Sequence, residues 1–412
     1  MTVSAVTSDR AASQIRSSDL TGLTISEVVT KSDEATFLHV HVVCNCDNPS
    51  WIRPLDNDIR QVFDRSRNKF FNFGDAVRWI VFDKQGKAVG RVAAFVNRKY
   101  KNKGDRFPVG GIGFFDAINN QDVANHLFDT ARKWLEARGV KAMDGPINFG
   151  ERDRWWGLLV EGFDPPLYGM NFNPPYYKEL FETYGFRNFY NQICWRLPVA
   201  GLDQQLSHKF YEAHARFANN PEFEARYIPV NEFGKCIAYF CKVYNKAWAK
   251  HEGNKEISME QATRLLQSIR PVLDPYLIWF VFHKGEPVAM WISIPDVNQI
   301  MKRLNGKFGW WEKLRFIYYK MRGTCTRFVG IIYGIVPELQ GTGVDYFMIV
   351  EAEKVIKSKT RYRQTELLWQ GDFNPRMLNI SRNLGAEQCR RLVTYRYIFD
   401  PSIPFSRHPE IH

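Results

Sequence analysis

Gly334-Ile335-Val336-Pro337-Glu338-Leu339-Gln340-Gly341-Thr342-Gly343-Val344 runs out of an apolar strand and into a helix, and its reading decides the fold. Residues 328–336 are β-branched and aromatic with two glycines, which suits a strand. Pro337 has no N–H for the ladder and stops it. A helix-forming run follows from Tyr346 to about Lys357. Between them, glycine lets the backbone take conformations a Cβ would forbid and approach a ligand closely. The N–H groups at the start of the following helix point outward, where the helix dipole favours an anion. That is the chemistry of a pyrophosphate cradle. A tight strand-to-helix connection would use the same glycines for a blander purpose.

The residues that follow extend the pattern. A second strand reads Thr365-Glu366-Leu367-Leu368-Trp369-Gln370, and a closing helix runs from Asn374-Pro375-Arg376-Met377 to Asn383-Leu384-Gly385-Ala386. This order, with Val-Pro-x-x-Gln-Gly-x-Gly at its head, resembles the GNAT acyltransferase superfamily. The resemblance implies that Gln340, Gly341, Thr342, Gly343 and Val344 hold the pyrophosphate of an acyl-CoA or acetyl-CoA. It also implies that main-chain amides from about Tyr333 through Ile335 and Val336 bond the donor's carbonyl and pantetheine arm. Asp345 departs from the family's Gly or Ala, and must point away if a diphosphate is to bind.

Reading backwards, 225–230 is a strand, 233–248 a helix, and Ser258 caps a second helix to about Ile269. Strands at 276–282 and 287–294 flank the turn His283-Lys284-Gly285-Glu286. The first half repeats the order more faintly: a strand at 23–29, a helix at 34–44, strands at 76–83, 88–97 and 110–115, a helix at 122–138, a strand at 141–148, then Pro175-Tyr176-Tyr177 to Tyr184-Gly185-Phe186 as the closing helix. The expected fold class is therefore mixed α/β: two tandem GNAT-like domains, each a mixed central sheet flanked by helices. Their expected bounds are 21–199 and 221–400, with 1–20 a flexible N-terminus, 200–220 a linker and 401–412 a tail. The first half lacks the glycine cradle and reads Asp116-Ala117-Ile118-Asn119-Asn120-Gln121-Asp122 in its place. Two carboxylates there would repel a diphosphate, so a single donor site in the second half is expected, with the first half shaping the acceptor cleft.

The chain's 412 residues are enough for two full cores. A net charge of +12 points to an anionic partner, be it CoA, acyl carrier protein, lipid headgroups or nucleic acid. Seven scattered cysteines, without framework spacing, read as reduced thiols. Cys44 and Cys46 beside His39 and His41 lack a second ligand pair, so no metal is expected. No apolar signal region opens the sequence, and no window approaches ~20 uninterrupted apolar residues. A cytoplasmic protein is expected, peripheral on the inner membrane face if it meets a membrane at all.

For a general base the candidates are Glu366, Asp372, Glu338 and His251. Glu366 comes first, because desolvation on an apolar strand raises a carboxylate's basicity. Its other reading is an ion pair with Arg361 or Arg363. The family's leaving-group Tyr falls at Ser381, which has no suitable acidity. Asn374 either contacts pantetheine or caps the helix. The loop from Asp144 through Trp155 and Trp156 to Tyr168, rich in Gly, Pro and aromatics, reads as an acceptor-site wall or an inter-domain connection. Residues 301–322 carry seven bases and one acid among six aromatics. They suit an anionic membrane surface or an acyl carrier protein, or a helix packed on the core; nucleic acid is not expected, since no recognised module accompanies them. Two functions follow: acyl transfer, long-chain more than acetyl, from an acyl-CoA or acyl carrier protein to an amine (more than a hydroxyl) of a lipid precursor, or non-catalytic acyl-CoA or membrane binding by a decayed site.

Overall fold

The computed structural model describes residues 17–18, 22–199, 206–248 and 256–411. In the first half these are β1 (Ser17–Ser18), β2 (Thr24–Glu27), α1 (Lys31–Asn45), α2 (Asp56–Phe63), β3 (Gly74–Phe82), β4 (Ala88–Asn97), β5 (Val109–Ala117), α3 (Gln121–Glu136), β6 (Ala142–Gly145), β7 (Leu158–Glu161), α4 (Tyr177–Tyr184) and β8 (Arg187–Pro198). The second half follows with α5 (His208–Ala218), β9 (Phe223–Tyr227), α6 (Phe233–Trp248), α7 (Met259–Ile269), β10 (Ile278–His283), β11 (Glu286–Pro295), α8 (Asn298–Met301), α9 (Trp310–Met321), β12 (Arg327–Ile335), α10 (Val344–Lys359), β13 (Gln364–Gly371), α11 (Pro375–Asn383) and β14 (Glu387–Ile398).

Apolar spacing builds the layers. On α3, Val123, Ala124, Leu127, Phe128, Ala131 and Leu135 recur every three or four residues and are buried against the first half of the sheet. Val344, Phe347, Met348, Ala352 and Ile356 do the same for α10 in the second half. Each of these side chains larger than alanine contributes roughly 1.5–3 kcal/mol on burial. Ser258 caps α7 as expected, in a capping box with Gln261.

Among the described residues, all fourteen strands join one sheet, ordered β1-β2-β3-β4-β5-β6-β14-β8-β13-β12-β11-β10-β9, with β7 paired to β14 off this path. The pairs β5–β6 and β12–β13 are parallel, each crossed over by a helix. The remaining pairs are antiparallel. The closing strands are exchanged: β8 of the first half pairs with β13, and β14 of the second pairs with β6 and β7. β8 and β14 pair with each other at the centre.

Two stretches differ from the expectation. Within 200–220, α5 lies on α10, its Phe210 ring stacked 4.0 Å from Tyr346. In the tail, the amides of His408 and Ile411 donate to the carbonyls of Phe189 and Phe373, tying it across the middle of the sheet.

Both parallel pairs part company. β5 leaves β6 after Gly111, and β7 takes up the space beside β14. β12 leaves β13 after Gly330. A bulge sits just past each parting, at Phe114 (φ 49°) on β5 and at Ile331 on β12. The described residues thus show two strand gaps, one per half.

Candidate active site

The glycine loop after β12 has the backbone its sequence requires. Gly341 and Gly343 are left-handed, with φ of 75° and 90°, and Gly343 caps α10 with no side chain over the helix start. The first turn of α10 therefore presents N–H groups without intrahelical partners. Asp345 turns to accept the Tyr333 hydroxyl at 2.8 Å. Arg216 of α5 reaches the Thr342 carbonyl at 3.4 Å, placing a cation beside the loop. The corresponding start of α3 is closed, because the Asn120 side chain accepts from the amides of Asp122 and Val123.

Other predicted residues of the second half are committed elsewhere. The Val336 amide donates to Val288, so it is not free for a donor carbonyl. Ile335 accepts from the Gln340 side chain at 3.1 Å. The Thr342 hydroxyl donates to Leu339, and Val344 is buried in the core beneath the helix start. Asn374 caps α11 through the Met377 amide. Ser381 is buried and exchanges hydrogen bonds with Gln370. Asp372 pairs with Arg407 at 2.6 Å, Glu338 is exposed, and His251 lies outside the described residues.

Glu366 is where the exchanged strands meet. It is wholly buried and bonded by Arg327 at 2.7 Å, Arg196 at 3.0 Å and Arg390 at 3.1 Å, from β12, β8 and β14. Arg361 and Arg363 are not its partners. With both carboxylate oxygens taken up by guanidinium groups, its geometry is that of a structural anchor.

The first half holds an acid–base cluster instead. A cavity of ≈ 50 Å³ opens between β5 and β7, walled by Ile52, Pro54, Phe114, Trp155, Met170 and Phe172. His41, Arg91, Asp116 and Tyr177 reach into its wall. Asp116 is buried and takes hydrogen bonds from Arg91 Nε (2.6 Å), Asn45 (3.2 Å) and the Tyr177 hydroxyl (3.0 Å). Burial works against its ionisation, but His41 and Arg91 prevail and hold its carboxyl down at about 2. The ionised carboxylate accepts from His41 Nδ1 at 3.0 Å, so Nδ1 carries the hydrogen. His41 Nε2 then accepts the Trp51 indole N–H at 3.2 Å. Tyr177 also takes the Ala117 amide, and burial pushes its hydroxyl well above the usual range.

Two earlier readings change here. Asp116 lies inside β5 and is neutralised by Arg91, so it does not face a diphosphate; only Asp122 remains near the start of α3. The sequence considered His41 only as a metal ligand and Asp116 only as an obstacle. Their 75-residue separation hid the dyad, and only the helix-over-strand packing unites them. Among the described residues, no group of three or more His, Cys, Asp or Glu is placed to hold a metal ion. The aromatic loop does reach the cavity, through Pro146 and Trp155, and a second cavity of ≈ 20 Å³ continues along Leu167 and Tyr168 to Met301.

The chain is 24% identical over 379 residues to a bacterial ceramide synthase from Caulobacter vibrioides, covering 91% of this chain and 96% of that protein. It is 23% identical over 374 residues to protein YghO from Escherichia coli, covering 89% and 93%. A tandem GNAT protein from the clavulanic acid biosynthesis pathway superposes with a TM-score of 0.52 at 10% identity, over 92% of this chain and all of that one. No family model matches. The chain thus has the tandem GNAT fold. Its full-length relatives include one named for lipid synthesis.

Proposed function

We propose that this chain moves an acyl group from a thioester donor, an acyl-CoA or acyl carrier protein, to the amine of a lipid precursor. The nucleophile is activated in the cavity of the first half. One observation carries this reading: the His41 ring is held between an ionised, buried Asp116 and the cavity at a strand gap. The name of the Caulobacter relative supports a long-chain amine as acceptor and favours N- over O-acylation.

The chemistry follows from the partners. As the amine attacks the thioester carbonyl, it gives its proton to His41 Nε2, displacing the Trp51 N–H. Asp116 stabilises the imidazolium and keeps the ring oriented. Amides at the Phe114 bulge lie outside the regular ladder and suit the developing oxyanion. The N–C bond forms, the C–S bond breaks, and the thiolate leaves with the proton from His41.

A second reading is favoured by the two left-handed glycines and the open start of α10. It places the diphosphate of an acyl-CoA at Gln340–Val344 and the reaction in the gap beside β12. That loop is five strand spacings from β5, about 24 Å at the usual separation. One thioester cannot use both places.

The test supplies a long-chain acyl-CoA and a long-chain amino alcohol, and follows amide by mass spectrometry with free thiol. Amide made by the wild type and lost in His41→Ala supports the first-half site. Amide undiminished in His41→Ala but lost in Gly341→Asp moves the chemistry to the second half. CoA binding without thiol release from any acyl thioester would leave the non-catalytic alternative.

A further inference from the structure

We propose that α9 docks the protein on the surface of an anionic bilayer, from which the lipid acceptor enters the first-half cavity. The proposal rests on the acceptor reading above, and adds the surface and the route.

Helix α9 is exposed along an unusual face. Trp310 is 69% exposed, Trp311 71% and Met321 83%, with Leu314, Ile317 and Tyr318 also exposed. At about 100° per residue these six fall within an arc of about 120°, with Lys313 on one flank and Arg315 and Arg322 on the other. Only Phe316 of this helix is buried. An apolar arc with tryptophans and flanking bases is the form of a helix lying in the headgroup plane. Exposed single apolar residues are ordinary on a protein surface; six on one face of a twelve-residue helix are not.

Charge decides the occupant. Between 302 and 322 there are seven bases, and Glu312 is the one acid. Glu312 is used internally, accepting from the Gly309 amide at 2.9 Å. Lys320 is tied to the Pro271 carbonyl and is not counted as free. Lys302 is likewise tied to the Pro49 carbonyl; among the described residues, Lys307, Lys313 and Arg315 have no carboxylate partner. Their charge is available to phosphate headgroups, while the apolar arc needs the hydrocarbon edge beneath them; a bilayer offers both at once.

The helix is joined to the cavity. Phe316 packs with Ile52, Leu55, Ile300, Met301 and Leu304 in one cluster. Ile52 and Pro54 line both cavities, and the second ends at Asn298 and Met301 beneath α9. The Asp56 amide donates to the Gly306 carbonyl at 2.9 Å, pinning the cavity loop to the segment that carries α9. An amphiphile leaving the bilayer at α9 would pass Met301, Leu167 and Ile52 on its way toward His41.

Vesicle sedimentation of the full chain tests this, using phosphatidylcholine vesicles with and without phosphatidylglycerol. The wild type should sediment with the anionic vesicles. Lys313→Gln combined with Arg315→Gln should weaken binding by about 30-fold, each base being worth about fivefold near a charged surface. Trp311→Ala with Ile317→Ala should also release the protein, with circular dichroism and melting unchanged. Equal binding by wild type and both variants, or capture of an acidic carrier protein without any vesicle binding, would overturn the proposal. Turnover separates the two claims. Both variants should lose activity on a vesicle-borne amine and keep it on a water-soluble short-chain amine. A wild type that binds vesicles but acylates neither amine would defeat the acceptor reading and leave the docking surface standing.

Discussion

Replacing Glu366 by Gln keeps the side chain's shape and removes its charge. Before the change, Glu366, Asp296 and Asp164 offset Arg327, Arg390 and Arg196, three acids against three bases. Afterwards Arg327 keeps Asp296 at 2.7 Å and Arg196 keeps Asp164 at 2.9 Å. Arg390 keeps no carboxylate, and its side chain is wholly buried. Stranding a buried cation costs about 3–5 kcal/mol. Unfolding entropy near 2.1 cal/mol/K per residue, over the whole chain, converts this to a melting shift of about 3–6 °C. Differential scanning fluorimetry and urea melts would read the loss, with turnover per folded molecule close to that of the wild type. Adding Arg390→Met removes the stranded charge and should recover part of the stability, since buried pairs are often replaceable by apolar groups of similar size. An unshifted melt combined with abolished turnover would refute this reasoning and restore Glu366 as the base.

His41→Ala should lower kcat/KM per folded molecule by about 10²–10⁴, the usual worth of a general base. Asp116 has a folded pKa of about 2, below its ordinary 3.8, so its stabilising contribution is present above about pH 4 and is lost as pH falls through about 2. Urea melts of wild type and Asp116→Asn should therefore differ most near neutrality and converge in acid; the ionisation part is on the order of 2 kcal/mol. Gly341→Asp should abolish any CoA-induced melting shift, because the position opens to free space and Asp tolerates the left-handed backbone. Gly343→Asp is a poorer probe: a Cβ there would lie 2.9 Å from that of Ala213, so the fold itself would be strained.

Local signals in the chain announced most elements. Apolar periodicity marked α3 and α6, Ser258 announced the start of α7, and the turn around Gly285 placed β10 and β11 together. The glycine loop was legible because left-handed backbone and an uncapped helix start leave a direct mark on residue choice. The tandem GNAT fold followed from that loop and its repeated surroundings.

What lay beyond the sequence was everything made by long-range contact. The exchange of β8 and β14 depends on which edge each closing strand finds, and no local pattern records that choice. It sets the fate of Glu366: a carboxylate on a strand reads alike as base or anchor until Arg196 and Arg390 arrive from the two exchanged strands. The same holds for His41 and Asp116, one on a helix and one on a strand, whose chemistry exists only when α1 lies across β5. Side-chain periodicity is a property of neighbours in the chain. An ion pair, a dyad or a cavity belongs to neighbours in space, and folding alone supplies them.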